Sequence, residues 1–227
     1  MIQIVVAHYQ EDLQWLHGLK KALLDAGLDD PHMNLYVYHK GGFVDGVRSF
    51  LQGIRKEDFS NIILTKLDNI GRESHTYLYH MLYNVVEARH RRDALPAATF
   101  FMQGRPSDHG INFCQHDRNI AMSFLGHHFE CDNKGYPHHI GLPIIEFYHR
   151  YFTSDVSKPF VFTPGGQFSV NWDCVFLSED RVRLLNTIYQ DHWDVPMLPW
   201  ILERLWLKVF TDDSIHPRFC ELDKEIL

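Results

Sequence analysis

The chain has 227 residues, of which 45% are hydrophobic, and it carries a formal net charge of -7. This length allows one large domain or two small ones, with enough apolar residues to fill a sizeable core. The negative charge disfavours general binding to nucleic acids or anionic membranes, because their phosphates would be repelled except at a local basic patch. We therefore expect no nucleic-acid polymer among the partners.

No stretch approaches the roughly 18 apolar residues of a membrane-spanning helix. The first residues, MIQIVVAHYQEDL, show neither a basic leader nor a small-residue cleavage site. These features predict a soluble cytoplasmic protein without a membrane span. The four cysteines are scattered and form no Cys-x-x-Cys pair, which predicts free thiols; they are Cys114, Cys131, Cys174 and Cys220.

The first half of the chain alternates predicted strands and helices. Residues 2–7, IQIVVA, have the apolar, β-branched character of a buried strand, and residues 11–26 follow with helical spacing of leucines. Further strands are predicted at NLYVYHK, SNIILTKL and AATFFMQG, with a helix from about Glu73 to Arg89 after the third. This order predicts an α/β fold with a mostly parallel central sheet and helices on both faces.

The second half is less regular. Residues 104–143 are rich in Gly, Pro, His, Asp and Asn, and a long irregular segment in a compact domain is usually functional. We expect a helix at LPIIEFYHRYF, a pair of short strands around the glycine turn of FVFTPGGQFSVNW, and helices near SEDRVRLLNTIYQ and PMLPWILERLWLKVF. No repeat or linker divides the chain, so residues 1–227 are predicted to form a single domain.

Polar residues follow each of the four predicted parallel strands. In open α/β sheets, ligands bind outside the carboxyl ends of the strands, so these residues are candidates for a site. They are His8, Tyr9, Glu11 and Asp12; His39 and Lys40; Asp68, Asn69, Gly71 and Arg72; and Gln103, Arg105, Asp108 and His109.

The segment NIGRES begins the helix after the third strand, which we expect inside the sheet. Gly71 can adopt a left-handed backbone, the helix start presents free N–H groups, and the Arg72 guanidinium matches phosphate oxygens. Together they would make a pyrophosphate cradle. A plain capped turn, with Arg72 paired to Glu73 or Asp68, is an equal alternative, since most helix starts bind only water.

Two further segments carry possible chemistry. In FFMQGRPSDH, Asp108 is the only carboxylate that could hold Mg²⁺ or Mn²⁺, and a surface turn at Gly104 and Pro106 is the alternative. In WILERLW, Glu203 either pairs with Arg204 as an ordinary helical charge or points into a cleft beside PGGQF. In the cleft, apolar neighbours would raise its pKa toward that of a general base.

The segment HHFECDNKGYPHH gathers several side chains that can ligate transition metals: His127, His128, Cys131, His138 and His139. Their spacing fits no standard zinc template. Structural or solvated histidines are therefore favoured over a dedicated metal site.

The succession IVVAHYQEDLQWL, VYHKG, NIGRESHTYLYHMLYN, TFFMQGRPSDH, GGQFSV and ERLW spans nearly the whole chain. It resembles the family catalogued as domain of unknown function 3431, whose layout is similar to GT-A glycosyltransferases. The resemblance implies a single GT-A-like domain, with residues 1–110 as the nucleotide-sugar-binding half and residues 111–227 as the acceptor-side half.

The same resemblance implies a glycosyltransferase that moves a sugar from a nucleoside diphosphate sugar to a hydroxyl of a glycan or glycoprotein. Glu203 would be the base, with Asp191 or Asp194 as less favoured choices, and Arg72 would stabilise the departing diphosphate. The implied substrate-binding residues are His8, Tyr9, Glu11, Lys40, Asn69, Gly71, Gln103, Arg105, Gly166 and Gln167, with Trp172, Trp193 or Trp200 as sugar platforms.

The resemblance also bears on a divalent metal cofactor, Mn²⁺ or Mg²⁺. GT-A enzymes carry an Asp-x-Asp motif for Mn²⁺ or Mg²⁺, and this chain offers Gln103, Asp108 and His109 instead, so Arg105 could replace the ion. Two other functions stay open: a histidine-rich metal-dependent hydrolase or metal-binding protein, and a GT-A-like module that binds nucleotide sugars without catalysis.

Overall fold

A computed structural model of the protein describes residues 1–156, 159–191 and 197–215. Within these residues, a six-stranded sheet has the order β3-β2-β1-β4-β8-β5, and a two-stranded sheet pairs β6 with β7. The strands are β1 (Ile2–His8), β2 (Met33–His39), β3 (Asn61–Lys66), β4 (Ala98–Gln103), β5 (Met122–Phe124), β6 (Phe129–Cys131), β7 (Phe160–Phe162) and β8 (Phe168–Asn171).

Strands β1 to β4 are parallel to one another, and β8 runs antiparallel to both β4 and β5. The helices are α1 (Leu16–Asp25), α2 (Val44–Gln52), α3 (Arg72–His80), α4 (Glu87–His90), α5 (Ile144–Tyr151), α6 (Glu179–Gln190) and α7 (Leu198–Thr211). Residues Met81–Val86 form π-helical turns that join α3 to α4.

The alternation of side chains along the strands buries both faces of the sheet. On one face, Ile4 and Val6 of β1 pack in the same core as the buried leucines of α1. On the other face, Val5 packs in a core that contains Tyr77 of α3 and Leu202 of α7. The predicted mixed α/β fold, with a mostly parallel sheet and helices on both faces, is therefore confirmed.

Some details differ from the sequence expectations. The first helix begins at Leu16 rather than at residue 11, because the Asp12 carboxylate accepts the N–H of Gln14 and forms a turn before the helix. Strand β3 is an edge strand and not an inner one. The two strands beside the glycine turn lie in different sheets, since β7 pairs with β6 and β8 pairs with β4 and β5.

The central sheet takes strands from both predicted halves of the chain, since β5 and β8 come after residue 110. Cys114, Cys131 and Cys174 are free thiols, as predicted, and Cys220 lies outside the described residues. In the described ranges, no helix has both the length and the apolar composition that crossing a membrane requires.

Candidate functional site

Two connected clefts lie at the carboxyl edge of the parallel strands. The aromatic cleft, of about 390 Å³, is lined mainly by side chains after β1 and on α2: Tyr9, Leu13, His39, Phe43, Val47 and Phe50. The polar cleft, of about 210 Å³, is lined by Glu11, Lys40, Asn69, Arg72, Glu73 and Gln103. His8, Tyr9 and Glu11 line both, so the two clefts adjoin at the loop after β1 and are together called the groove.

The loop after β1 is held tightly between its neighbours. The Glu11 carboxylate accepts the backbone N–H groups of Tyr9 at 2.7 Å and Gln10 at 3.1 Å. A Cβ at Gly104 would lie 2.4 Å from this carboxylate, and one at Gly41 would lie 2.2 Å from the carbonyl oxygen of Tyr9. Glycine at both positions therefore allows the close packing that forms the wall of the groove.

His8 and His39 form a buried pair at the base of the groove. The His8 Nε2 atom lies 3.0 Å from the carbonyl oxygen of Glu11, which can only accept, so this nitrogen donates. In the neutral ring, His8 Nδ1 then accepts from His39 Nδ1 at 2.9 Å. Burial and the neighbouring His8 lower the pKa of His39. His8 thus stabilises the floor of the groove besides lining it.

Lys40 supports the start of α3. Its ammonium group donates to the carbonyl oxygens of Ile70, at 2.6 Å, and of Arg72. Burial lowers the pKa of Lys40 to about 8, although the nearby Glu73 carboxylate opposes this change. Lys40, a predicted substrate-binding residue, thus anchors the loop that carries Arg72.

The NIGRES turn has the backbone expected for a cradle. Gly71 has φ 61° and Arg72 has φ 47°, so two successive residues lie in the left-handed region. The Arg72 side chain is 54% exposed and lies 5.6 Å above the Trp200 ring, and its one side-chain hydrogen bond within the described residues is a long 3.5 Å contact with Glu73. Its guanidinium is therefore accessible at the mouth of the polar cleft.

Glu203 points inward from α7 beside the glycine turn. Its side chain is 7% exposed, and its two oxygens accept the N–H of Gly165 at 3.1 Å and the guanidinium of Arg204 at 2.9 Å. Burial raises the pKa of Glu203 to about 7, and Arg204 only partly offsets this. Each sequence interpretation therefore holds in part: Glu203 is buried beside PGGQF and is paired with Arg204, but it is not among the residues that line the two clefts.

Glu73 is a residue of the polar cleft that the sequence analysis considered only as an ion-pair partner of Arg72. Its side chain is 8% exposed, lines the polar cleft, and leaves the buried Oε1 atom without a hydrogen-bond partner among the described residues. Phe43 was also missed, although it is 91% exposed at the rim of the aromatic cleft. An aromatic residue next to two glycines in HKGGFVDG was the available signal.

The loop after β4 does not gather the expected metal ligands. The Asp108 carboxylate is 51% exposed and lies 3.9 Å from the guanidinium of Arg105. Gln103 donates its amide to the carbonyl oxygen of Arg105 at 3.0 Å, and His109 lies next to Gly165. No group of three or more His, Cys, Asp or Glu side chains is placed to hold a metal ion anywhere in residues 1–156, 159–191 and 197–215.

The histidine-rich segment is spread over several contacts. The His138 ring packs edge-on against Phe129 and Phe162, while the His139 ring stacks on Trp200 at 4.9 Å. His139 Nδ1 also lies 2.9 Å from the Arg204 guanidinium. These contacts support the structural interpretation of the two histidines.

The other predicted residues fall in different places. Gln167 is fully buried and donates to the carbonyl oxygen of Pro106 at 3.1 Å, while Gly166 lies behind the polar cleft. Trp172 is a core residue that donates to Thr99 and offers no sugar platform. Asp191 accepts from Tyr151 on α5 at 2.7 Å. Trp193 and Asp194 lie outside the described residues.

Comparison with known proteins gave no relationship: no family model matches the chain, and no similar sequence was found among curated proteins. The function must therefore be argued from the geometry of the groove.

Proposed function

We propose that the protein is a glycosyltransferase that transfers a sugar from a nucleoside diphosphate sugar to a hydroxyl group of a glycan acceptor. The observation that carries this proposal is the pair of adjoining clefts, one aromatic and one polar with an accessible guanidinium. A nucleoside diphosphate has the same two parts, a flat heteroaromatic base and an anionic diphosphate.

The aromatic cleft suits the base. Phe43 and Tyr9, which are 91% and 42% exposed, offer ring faces at its rim, and exposed aromatic side chains of this kind gain by stacking on a flat ligand. The diphosphate would then lie in the polar cleft, where the guanidinium of Arg72 can form two parallel hydrogen bonds with phosphate oxygens.

The buried carboxyl of Glu203 supplies the chemistry. In an inverting transfer, Glu203 takes the proton of the acceptor hydroxyl while the hydroxyl oxygen forms a bond to the sugar C1 atom. The bond between C1 and the diphosphate oxygen breaks, and its electron pair leaves with the diphosphate, whose growing charge Arg72 stabilises. A base with a pKa near 7 is well matched to proton transfer at neutral pH.

A divalent ion, if bound, would supply further charge neutralisation at the diphosphate. The residues after β4 do not fit such an ion well, because the Asp108 carboxylate is half exposed and faces Arg105. We therefore assign neutralisation of the diphosphate charge to Arg72.

Calorimetric titration with a panel of nucleoside diphosphate sugars, with and without Mn²⁺, tests the proposal. We expect one donor to bind, and Arg72→Ala to weaken it by roughly tenfold to a hundredfold, as for the loss of a charge-assisted hydrogen bond. Arg118→Ala is the matched control, because Arg118 is exposed at the opposite edge of the sheet, where it donates to Gly27. Failure of every donor to bind would refute the proposal.

A further inference from the structure

Two carboxyl groups from different helices flank the Gly165–Gly166 turn. The N–H of Gly165 donates to Glu203 Oε2 at 3.1 Å, and a Cβ at Gly166 would lie 3.9 Å from the Cγ atom of Glu73. Both glycines are buried and have positive φ, 73° and 58°. Glu73 of α3 and Glu203 of α7 are therefore held on the same small element of backbone.

The two carboxyl groups differ in their hydrogen bonds. Both oxygens of Glu203 have partners, namely Gly165 and Arg204. Glu73 has only the long 3.5 Å contact from Arg72 to Oε2, and its Oε1 atom is buried without a partner in the described part of the chain. The Glu73 side chain is 8% exposed, so its electrostatic interaction with the nearby Glu203 is little screened by water.

We propose that Glu73 is a positioning residue, whose carboxylate sets the protonation of Glu203 across the Gly165–Gly166 turn. Glu73 lines the polar cleft, so it also connects the state of the groove to the buried base. The consequence for catalysis rests on the proposed transferase function, whereas the effect on Glu203 itself does not.

The electrostatics agree with this geometry. Burial is the largest cause of the raised pKa of Glu203; Arg204 opposes it, and Glu73 raises the pKa further. The Tyr77 hydroxyl, whose ring lies beside Gly166, also has its pKa raised by burial and by both carboxylates. Among the described residues, the other charged or titratable groups that face this pair are Lys40 after β2, Arg72 on α3, Cys131 on β6, and His139, which contacts Arg204.

In the proposed reaction, this arrangement makes Glu203 a stronger base than burial alone would. A carboxylate near a second negative charge holds a proton more tightly, and a base of higher pKa takes a proton from a hydroxyl more readily. The acid limb of the pH dependence of activity should therefore follow the pKa of Glu203, including the part of that pKa that Glu73 contributes.

Carbon-13 NMR titration of glutamate-labelled protein measures the effect without any substrate. The Glu203 carboxyl signal is assigned by its absence in Glu203→Gln, and its pKa is compared between the wild type and Glu73→Gln. We expect Glu73→Gln to shift the pKa of Glu203 downward. An unchanged or upward-shifted titration would overturn the proposal, whether or not any donor is found.

Asp68→Asn is the matched control, since it removes a negative charge from the exposed loop before α3 and should leave the Glu203 titration unchanged. If Glu73→Gln does not fold, Glu73→Asp is used instead. Its side chain is one methylene shorter, which moves the carboxyl group away from Glu203 and should also lower the pKa of Glu203. Once a donor is known, the acid limb of kcat in Glu73→Gln should move to lower pH. An acid limb that stays in place would contradict the proposal independently of the titration.

Discussion

Replacing Glu203 by glutamine should remove a specific part of the pH dependence of stability. The pKa of Glu203 rises from an ordinary 4.5 to about 7 in the folded protein, mainly because the side chain is buried. Each pKa unit corresponds to roughly 1.4 kcal/mol, so the rise is worth about 3 kcal/mol. Between these pH values the folded state keeps a proton that the unfolded state releases. The free energy of unfolding therefore falls as the pH rises through this window.

Urea unfolding followed by tryptophan fluorescence at about pH 5 and about pH 8 measures this contribution. The wild type should lose about 3 kcal/mol relative to Glu203→Gln between these two pH values. Glu179→Gln is the control, because the Glu179 side chain is 88% exposed and its removal should not change the slope. If the free energies of unfolding of the wild type and Glu203→Gln change in parallel with pH, within about 1 kcal/mol, then the claim that the buried Glu203 carboxyl keeps its proton is wrong.

Three further predictions concern Phe43 at the rim of the groove, Gly165 in the glycine turn and Lys40 before α3. Phe43→Ala should weaken binding of nucleoside diphosphates roughly threefold to tenfold in calorimetry, through lost stacking, while Phe176→Ala, at a side chain that is 74% exposed outside the groove, should not. Gly165→Ala should cost about 1–3 kcal/mol in chemical denaturation, because φ is 73° and the new Cβ would lie 2.7 Å from a side-chain oxygen. Gly18→Ala, inside α1 with open space around its Cβ, should instead stabilise by about 0.5–1 kcal/mol. Lys40→Met should destabilise the protein by about 1–3 kcal/mol in the same assay, since it leaves two carbonyl groups before α3 without their donor.

The positions of the parallel strands followed from local sequence patterns. Residues 2–7 and 97–104 are mostly apolar runs, as expected of strands that are buried on both faces, and β1 and β4 lie there. The helical spacing from Tyr77 to Val85 likewise matched the buried face of α3 and the turns that follow it. Patterns of this kind report burial directly, because the faces of strands and helices repeat with fixed periods.

The errors concern contacts between segments that are distant in the chain. That β3 lies at the edge depends on the strand order, and the separation of β7 from β8 depends on where β6 and β4 run. The late start of α1 reflects the local Asp12 turn together with the bond from the Trp15 indole to the carbonyl oxygen of Gly104, 89 residues away. No local pattern contains the strand order or the contact with Gly104.

The candidate site was predictable in the same uneven way. The strand-end rule correctly brought Glu11, Lys40, Arg72 and Gln103 to one groove. It could not distinguish a free cation from an anchoring one: Lys40, predicted to bind substrate, holds the carbonyl groups before α3. Glu73 was missed because its burial comes from packing against the Gly165–Gly166 turn, far along the chain.

Release of nucleoside diphosphate from a bound donor sugar tests the central claim most directly. The donor that calorimetry identifies is supplied at saturating concentration. The wild type should then release the diphosphate slowly by hydrolysis, and faster when an acceptor is present. Glu203→Gln should release it about 10²- to 10⁴-fold more slowly, the usual contribution of a general base, while still binding the donor. Equal release by both proteins, or a donor that binds and is never cleaved, would contradict the account.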